Sequence, residues 1–313
     1  MKAHTASIGS ITARDRSARH TTRLITVALT TAGLTAAGLT ALAPAQAGTT
    51  GPTGPTASAG SAIPRACTAL VTFSSRGYFV PSRFTGSTGE TTVINNQPGA
   101  LPSAPMAQVV RSVTEERTRD IYRGYAVTKD GVMHRVTWVL PTTGSYPRAT
   151  TYQTVVGRGY GDVTSLATSG SRVYAVAGTQ LREYRISSSG GLGAPRVLSD
   201  RLGGVKTLSY ERSTAWGDIL VASTKGGQLW QVKTSRATST ARASVVPSGG
   251  LGLAGFPALS AYHCPGGATG LVGISKGGIL YTFFDADGWS GPAKTVRTAD
   301  PRYRTNAIPA YSN

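Results

Sequence analysis

Four carboxylates, Glu115, Glu116, Glu211 and Asp162, are the residues of this 313-residue chain whose placement suggests acid–base work. The three glutamates stand at the ends of apolar runs and Asp162 at the start of another. Glycoside hydrolysis needs two such groups facing each other at about 5 to 10 Å. Strand-end charges also serve as plain solvated rim residues, and Asp162, at the opposite end of its run, should lie on the opposite rim from the others. Beyond residue 47 the only histidines are His134 and His263, and neither belongs to a nucleophile-elbow or HExxH pattern. His134 falls inside a strand-like run and reads as a partly exposed strand residue. Asp285-Ala286-Asp287-Gly288 opens like a calcium loop but lacks the third oxygen ligand and the downstream Glu, so it reads as a turn. Cys67 and Cys264, with His263 beside the second, make an incomplete metal site without a CxxC spacing. Neither a metal nor an organic cofactor is expected.

The elements that must position these residues repeat. A turn glycine between two apolar-alternating runs recurs at Gly77, Gly131, Gly178, Gly227 and Gly278, with spacings of 54, 47, 49 and 51. TALVTFS, GYAVTK, RVYAVA, ILVAST and LVGISK precede these glycines, and YFVPSRF, VMHRVTW, QLREYRI, QLWQVK and ILYTFF follow them. Alternation around a short glycine turn is the signature of a β-hairpin. A third recurring run precedes four of the five hairpins (AQVVRSVTE, DVTSLAT, GVKTLSYE, FPALSAYH), and a fourth closes each unit (ETTVINN, TTYQTVV, APRVLS, RASVV, AKTVRT). Four strands in about 50 residues describe a propeller blade. The first hairpin has no run before it, while Ala307-Ile308-Pro309-Ala310-Tyr311 matches Ala258 to Tyr262 with no hairpin after it. The expectation is an all-β, five-bladed β-propeller over 66–313. In it, a C-terminal strand at about 303–312 becomes the innermost strand of the blade whose other three strands lie between 68 and 95. A two-sheet sandwich is the competing arrangement.

Composition agrees. Gly 39, Pro 17 and Met 3 suit a loop-rich β protein and not a helical bundle. A basic start containing Lys2, Arg14, Arg16, Arg19 and Arg23, an apolar run from Leu24 to Leu42 and the small-x-small site Ala45-Gln46-Ala47 read as a secretory signal peptide over 1–47. Residues 48–65, rich in Gly, Pro, Ser and Thr, read as a flexible linker. Cleavage near Ala47 leaves a secreted chain without a transmembrane segment. It takes away five basic residues and one acidic one, so 27 Lys and Arg remain against 13 Asp and Glu. Such a surface suits anionic wall polymers; export argues against cytosolic nucleic acid as the partner.

Export also favours oxidation of the two cysteines. In the repeat alignment Cys264 ends the inner strand of the last blade and Cys67 begins the second strand of the first. Both then fall on one rim beside the seam where the ring closes, and a disulfide between them is expected.

Gly278-Ile279-Leu280-Tyr281 followed by Asp287-Gly288-Trp289 is similar to the repeat of the tachylectin-like five-bladed propeller lectins, and Gly227-Gln228-Leu229-Trp230 matches its first half. The resemblance covers two blades at motif level and the domain through blade count and period. It implies binding of N-acetylated hexosamines between neighbouring blades, with Trp289, Asp287, Tyr281 and Trp230 as ligand-binding residues. Trp138 and Trp216 do not align with the motif. A secreted, non-catalytic carbohydrate-binding propeller for a glycan or an anionic wall polymer is therefore the leading expectation. A basic scaffold or adhesin for proteins or polyanions is the alternative, and a propeller glycoside hydrolase the third. The oligomeric state is not expressed in the sequence.

Overall fold

A computed structural model describes residues 67–75, 78–85, 90–93, 97–98, 105–142, 150–246, 251–275, 279–285, 288 and 296–304. The expected signal peptide and linker lie outside these residues. Among the described residues no helix is long and apolar enough to cross a membrane.

The chain is all-β. It begins with β1 (Thr68–Ser75), β2 (Tyr78–Thr85), β3 (Glu90–Val93) and β4 (Gln97–Pro98). Next come β5 (Pro105–Glu115), β6 (Arg119–Thr128), β7 (Val132–Pro141) and β8 (Thr150–Arg158), and then β9 (Val163–Ser169), β10 (Arg172–Ala177), β11 (Gln180–Arg185) and β12 (Arg196–Ser199). The remaining strands are β13 (Val205–Ser213), β14 (Asp218–Thr224), β15 (Leu229–Ser235), β16 (Thr240–Val245), β17 (Ala258–His263), β18 (Thr269–Ile274), β19 (Ile279–Asp285) and β20 (Val296–Arg304). Each run read between 68 and 298 coincides with or overlaps one of them; the run at 307–311 lies outside the described residues. The turn glycines work as expected where φ is positive, at Gly131 (72°), Gly178 (60°) and Gly227 (84°), a conformation that costs glycine nothing.

Four antiparallel sheets are meanders of four consecutive strands, β5–β8, β9–β12, β13–β16 and β17–β20, in a propeller-like arrangement. The expectation of five equal blades is corrected here: regular blades number four. In the remaining sheet β1, β2 and β3 follow in order while β4 pairs back onto β2. The proposed closing strand is corrected in part as well. Tyr303 and Arg304 belong to β20, where Arg304 pairs with Ile279 on β19, because the fourth strand of that blade runs nine residues. The rest of that strand lies outside the described residues.

Adjacent first strands pack on one another in the order β5, β9, β13, β17, and β1 packs against both β17 and β5. The cores lie in the seams between sheets, so a strand buries both of its faces. On β10, Val173, Ala175 and Ala177 join Tyr125 and Met133 in one seam, while Tyr174 and Val176 join Leu220 and Ala222 in the next. On β14, Leu220 and Ala222 face back and Val221 faces forward to Leu253, Phe256 and Phe283. This is the period-two alternation of a strand, with core on each side.

Burial on both faces accounts for a third correction. His134 on β7, expected to be partly exposed, is buried, and neither ring nitrogen has a hydrogen-bond partner. Burial pushes its pKa down, and Arg158 adds to this against the opposing pull of Asp130.

The expected disulfide is present. Cys67 and Cys264 are bonded across a Cα–Cα distance of 4.6 Å and a sequence separation of 197. Cys67 directly precedes β1 and Cys264 directly follows β17, so β1 begins at the rim where β17 ends.

Candidate functional site

The first strands β5, β9, β13 and β17 line a central cavity of about 600 Å³, whose wall includes Gln108, Thr164, Ser165, Ser209 and Ser260 among aliphatic side chains and Tyr210 and Tyr262. Each of these strands is an edge of its sheet, so its inward N–H and C=O groups have no ladder partner. Neighbouring strands supply some of the missing bonds. The Leu208 N–H donates to Ser165 Oγ at 2.8 Å and the Ala261 N–H to Ser209 Oγ at 2.7 Å. Arg111 Nε donates to the Gly170 carbonyl at 2.9 Å and Thr168 Oγ1 to the Val110 carbonyl at 3.3 Å. A serine hydroxyl that accepts from a backbone N–H keeps its own proton to donate. Gln108 has no hydrogen-bond partner at either amide atom. The chamber therefore combines apolar wall with unspent donors and acceptors, and its volume falls within the ~300–1,000 Å³ of small-ligand sites.

Two of the four carboxylates are held by arginines away from the chamber wall. Glu115 and Glu211 belong to the chamber wall, but Glu116 pairs with Arg119 at 2.6 Å, and Asp162 is held by both ends of the Arg182 guanidinium at 2.8 and 3.2 Å. Glu211 sits where the β13–β14 register slips. Tyr210 opposes Leu220 and Arg212 opposes Ile219, which leaves Glu211 as an extra residue. Its side chain is fully buried, with one oxygen on Arg212 and the other lacking a hydrogen-bond partner. Burial pushes its pKa up to about 7, outweighing the pull of Arg212, Gln231 and Lys233.

This has a measurable consequence. The folded pKa of Glu211 is raised above its unfolded value near 4.5, so between pH 4.5 and 7 the native state keeps a proton that the unfolded chain has released. Stability then falls as pH rises through that window, by about 3 kcal/mol in all, and levels off above pH 7. Chemical denaturation from pH 4.5 to 8 should show this slope, and Glu211→Gln should remove it; an unchanged slope in the variant would place its origin elsewhere.

Trp230 and Tyr281 take equivalent places in successive seams. Trp230 pairs across the hairpin with Ala222 and Tyr281 with Gly273. Trp230 packs, half-buried, on the seam behind its blade and donates its indole N–H to Gln228 Oε1 at 3.2 Å. Tyr281 meets Phe256 edge-on at 5.2 Å. Neither belongs to the chamber wall. Trp289 and Asp287 lie outside the described residues; Gly288 between them has φ 71° and approaches the Gly267 carbonyl closely enough to exclude a side chain. Among the described residues no group of three or more His, Cys, Asp or Glu could hold a metal. The polar side chains of the channel wall escaped sequence reasoning, although the inner strands were expected to face a channel. Their one signal was the recurring first run of each unit, whose Gln and Ser side chains look unremarkable until four such runs meet.

No family model and no curated protein matches the chain. Among solved structures, an apocarotenoid oxygenase from Synechocystis is similar with a TM-score of 0.38 and 10% identity, covering 73% of this chain and 58% of that one. NanB sialidase from Streptococcus pneumoniae gives a TM-score of 0.36 at 9% identity over 63% of this chain and 32% of that one. BBS1N, in its complex with ARL6DN, gives 0.33 at 12% over 68% and 63%. This chain thus spans about three fifths of the oxygenase's length. None of these likenesses carries a function across.

Proposed function

We propose that the chain is a secreted, non-catalytic carbohydrate-binding propeller whose principal site is the central chamber. The observation that carries this reading is the chamber itself, about 600 Å³ of mixed wall in which edge-strand backbone groups, serine and threonine hydroxyls and the Gln108 amide stand beside aliphatic and tyrosine side chains. A sugar presents the same mixture, hydroxyl or acetamido groups around an apolar C–H face. Trp230 and Tyr281, together with Trp289 and Asp287, are the proposed contacts of a second kind of site, in the seams. The separation of Glu116 and Asp162 onto their own arginines supports binding without cleavage. The proposed export rests on the basic, apolar and small-x-small order of residues 1–47.

The fold reading that accompanies this places the C-terminal run around Ala307 to Tyr311 inside β1 as a closing strand. Because β1 begins at the rim where β17 ends, it runs in the direction of a second strand, not a first.

Titration calorimetry of the cleaved protein with chitin oligomers and neutral wall oligosaccharides tests the chamber. One of them should bind, Ser260→Phe should abolish that binding by filling the channel without lowering the melting temperature, and no new reducing ends should form. Unchanged affinity in Ser260→Phe would remove the chamber as the site. Reducing ends that vanish in Glu115→Gln would make the protein a hydrolase.

A further inference from the structure

The most exposed large apolar side chain among the described residues is Trp216, 83% accessible, at the tip of the β13–β14 hairpin. Its backbone, by contrast, is fixed. The Thr214 N–H donates to the Gly217 carbonyl at 2.7 Å, and Thr214 Oγ1 donates to the same carbonyl at 2.8 Å. Arg236 N–H donates to the Trp216 carbonyl at 3.0 Å, and Gly217 lies so close to the Thr234 carbonyl that no side chain fits there. An aromatic ring on an immobile turn contributes contact area at little entropic cost on binding.

A linked group of arginines lies at the foot of this turn, on Asp218 and Glu183. Arg236 lies in the β15–β16 turn that holds it, and in the same turn Ser239, the one non-glycine residue with positive φ among the described residues (55°), accepts a hydrogen bond from Arg196. Arg172 completes the group by reaching Asp218 at the foot of the Trp216 turn. Their acidic partners are hidden. The arginine side chains are 22% (Arg172), 36% (Arg196) and 46% (Arg236) accessible, whereas Glu183 is 5% and Asp218 0% accessible. Three guanidinium groups are thus oriented by two carboxylates beneath them and still present N–H donors outward, each having five. On the same hairpin, Arg212 covers the buried Glu211 in the same way.

We infer that this surface is a second binding site, separate from the chamber, for a saccharide that carries a negative charge. The indole of Trp216 covers the apolar face of a sugar ring, while Arg236 and Arg196 take the carboxylate or phosphate oxygens, a geometry in which the guanidinium fork is effective. The buried carboxylates fix the arginines in place before the ligand arrives. A uronate polymer and a phosphodiester-linked alditol polymer share this chemistry.

The test immobilises polygalacturonate, a glycerol-phosphate polymer and neutral dextran, and measures binding of the wild-type protein, Trp216→Ala, Trp216→Phe and Ser260→Phe in 0.1 M NaCl. The Trp216 side chain is 83% exposed and its backbone bonds survive substitution, so its variants should melt with the wild type. Binding to one or both acidic polymers, roughly tenfold weaker in Trp216→Ala and largely retained in Trp216→Phe, is the expected result, and the polymer that binds names the acid. Ser260→Phe should leave it untouched, which separates this site from the chamber. Equal binding of wild type and Trp216→Ala, equal binding to dextran, or no binding to either acidic polymer would overturn the inference.

Discussion

Replacing Cys67 with Ser should lower the stability of the cleaved, oxidised protein by as much as about 5 kcal/mol and its melting temperature by about 10 °C or more. The bond closes a loop with a sequence separation of 197, from the residue before β1 to the residue after β17. Without it, the unfolded chain regains the freedom of nearly the whole domain, whereas the native state keeps its seams. Both half-cystines are fully buried, so the serine hydroxyl adds a desolvated polar group to the loss. Cys264→Ser should give the same shift, and the double variant no more than either alone, because all three remove one bond. Differential scanning calorimetry with and without reductant measures this. A wild-type protein that melts at the same temperature in both conditions would mean that packing of β1 against β5 and β17 already holds the closure.

The second large effect is expected at Asp218. Its carboxylate accepts hydrogen bonds from Tyr174 Oη and Ser213 Oγ, both at 2.7 Å, and lies 3.5 Å from Arg172 and 3.4 Å from Arg236. Tyr174 belongs to one blade and Asp218 to the next, so the contact spans a seam near its rim, at the hairpin end of β14. Burial alone would push this carboxyl's pKa up, but the hydrogen bonds from Ser213, Tyr174 and Ser169 and the charge of Arg172 outweigh it and hold the value below the ordinary carboxylate range. Asp218→Ala leaves a buried tyrosine hydroxyl and partly buried guanidinium groups without their partner, a change that costs about 3–5 kcal/mol. The pH sign is opposite to that of Glu211. The folded pKa of Asp218 is depressed, so its contribution is fully present above about pH 4 and is lost as pH falls below the unfolded value toward the folded one. Urea denaturation at pH 7 measures the loss, and a double-mutant cycle with Tyr174→Phe isolates the coupling across the seam. A loss under 1 kcal/mol for Asp218→Ala would show that the arginines relax to solvent and that the seam does not depend on the pair.

Much of the fold was legible in the chain. The hairpin runs from GYAVTK to ILYTFF became β6, β7, β10, β11, β14, β15, β18 and β19, because alternation and a turn glycine are local properties that need no partner. The disulfide was legible for a related reason. Two cysteines and a repeat phase leave one pairing, and the phase places both at the ends of strands. His134 misled because alternation shows that two faces differ, not that both are covered; between blades the second face is core as well. Glu211 looked like a strand-end charge and is instead enclosed at a register slip, a feature that depends on how β13 meets β14.

What the amino-acid sequence determined by itself is the kind of strands, their hairpin turns, and the cysteine pair, since each depends on residues within a hairpin or on a single pairing choice. The tertiary structure decided how many units close as regular blades, because pairing of β4 onto β2 and the length of β20 are set by competition between neighbours. It alone assembled the sites. Gln108, Ser165, Ser209 and Ser260 are about 50 residues apart in sequence and meet only when four first strands line one channel. Trp216, Arg236, Arg196 and Arg172 come from three hairpin ends and one outer strand across a seam. Their joint charge and exposure follow from which partner is buried, and burial is a property of the packed sheets, not of any one strand.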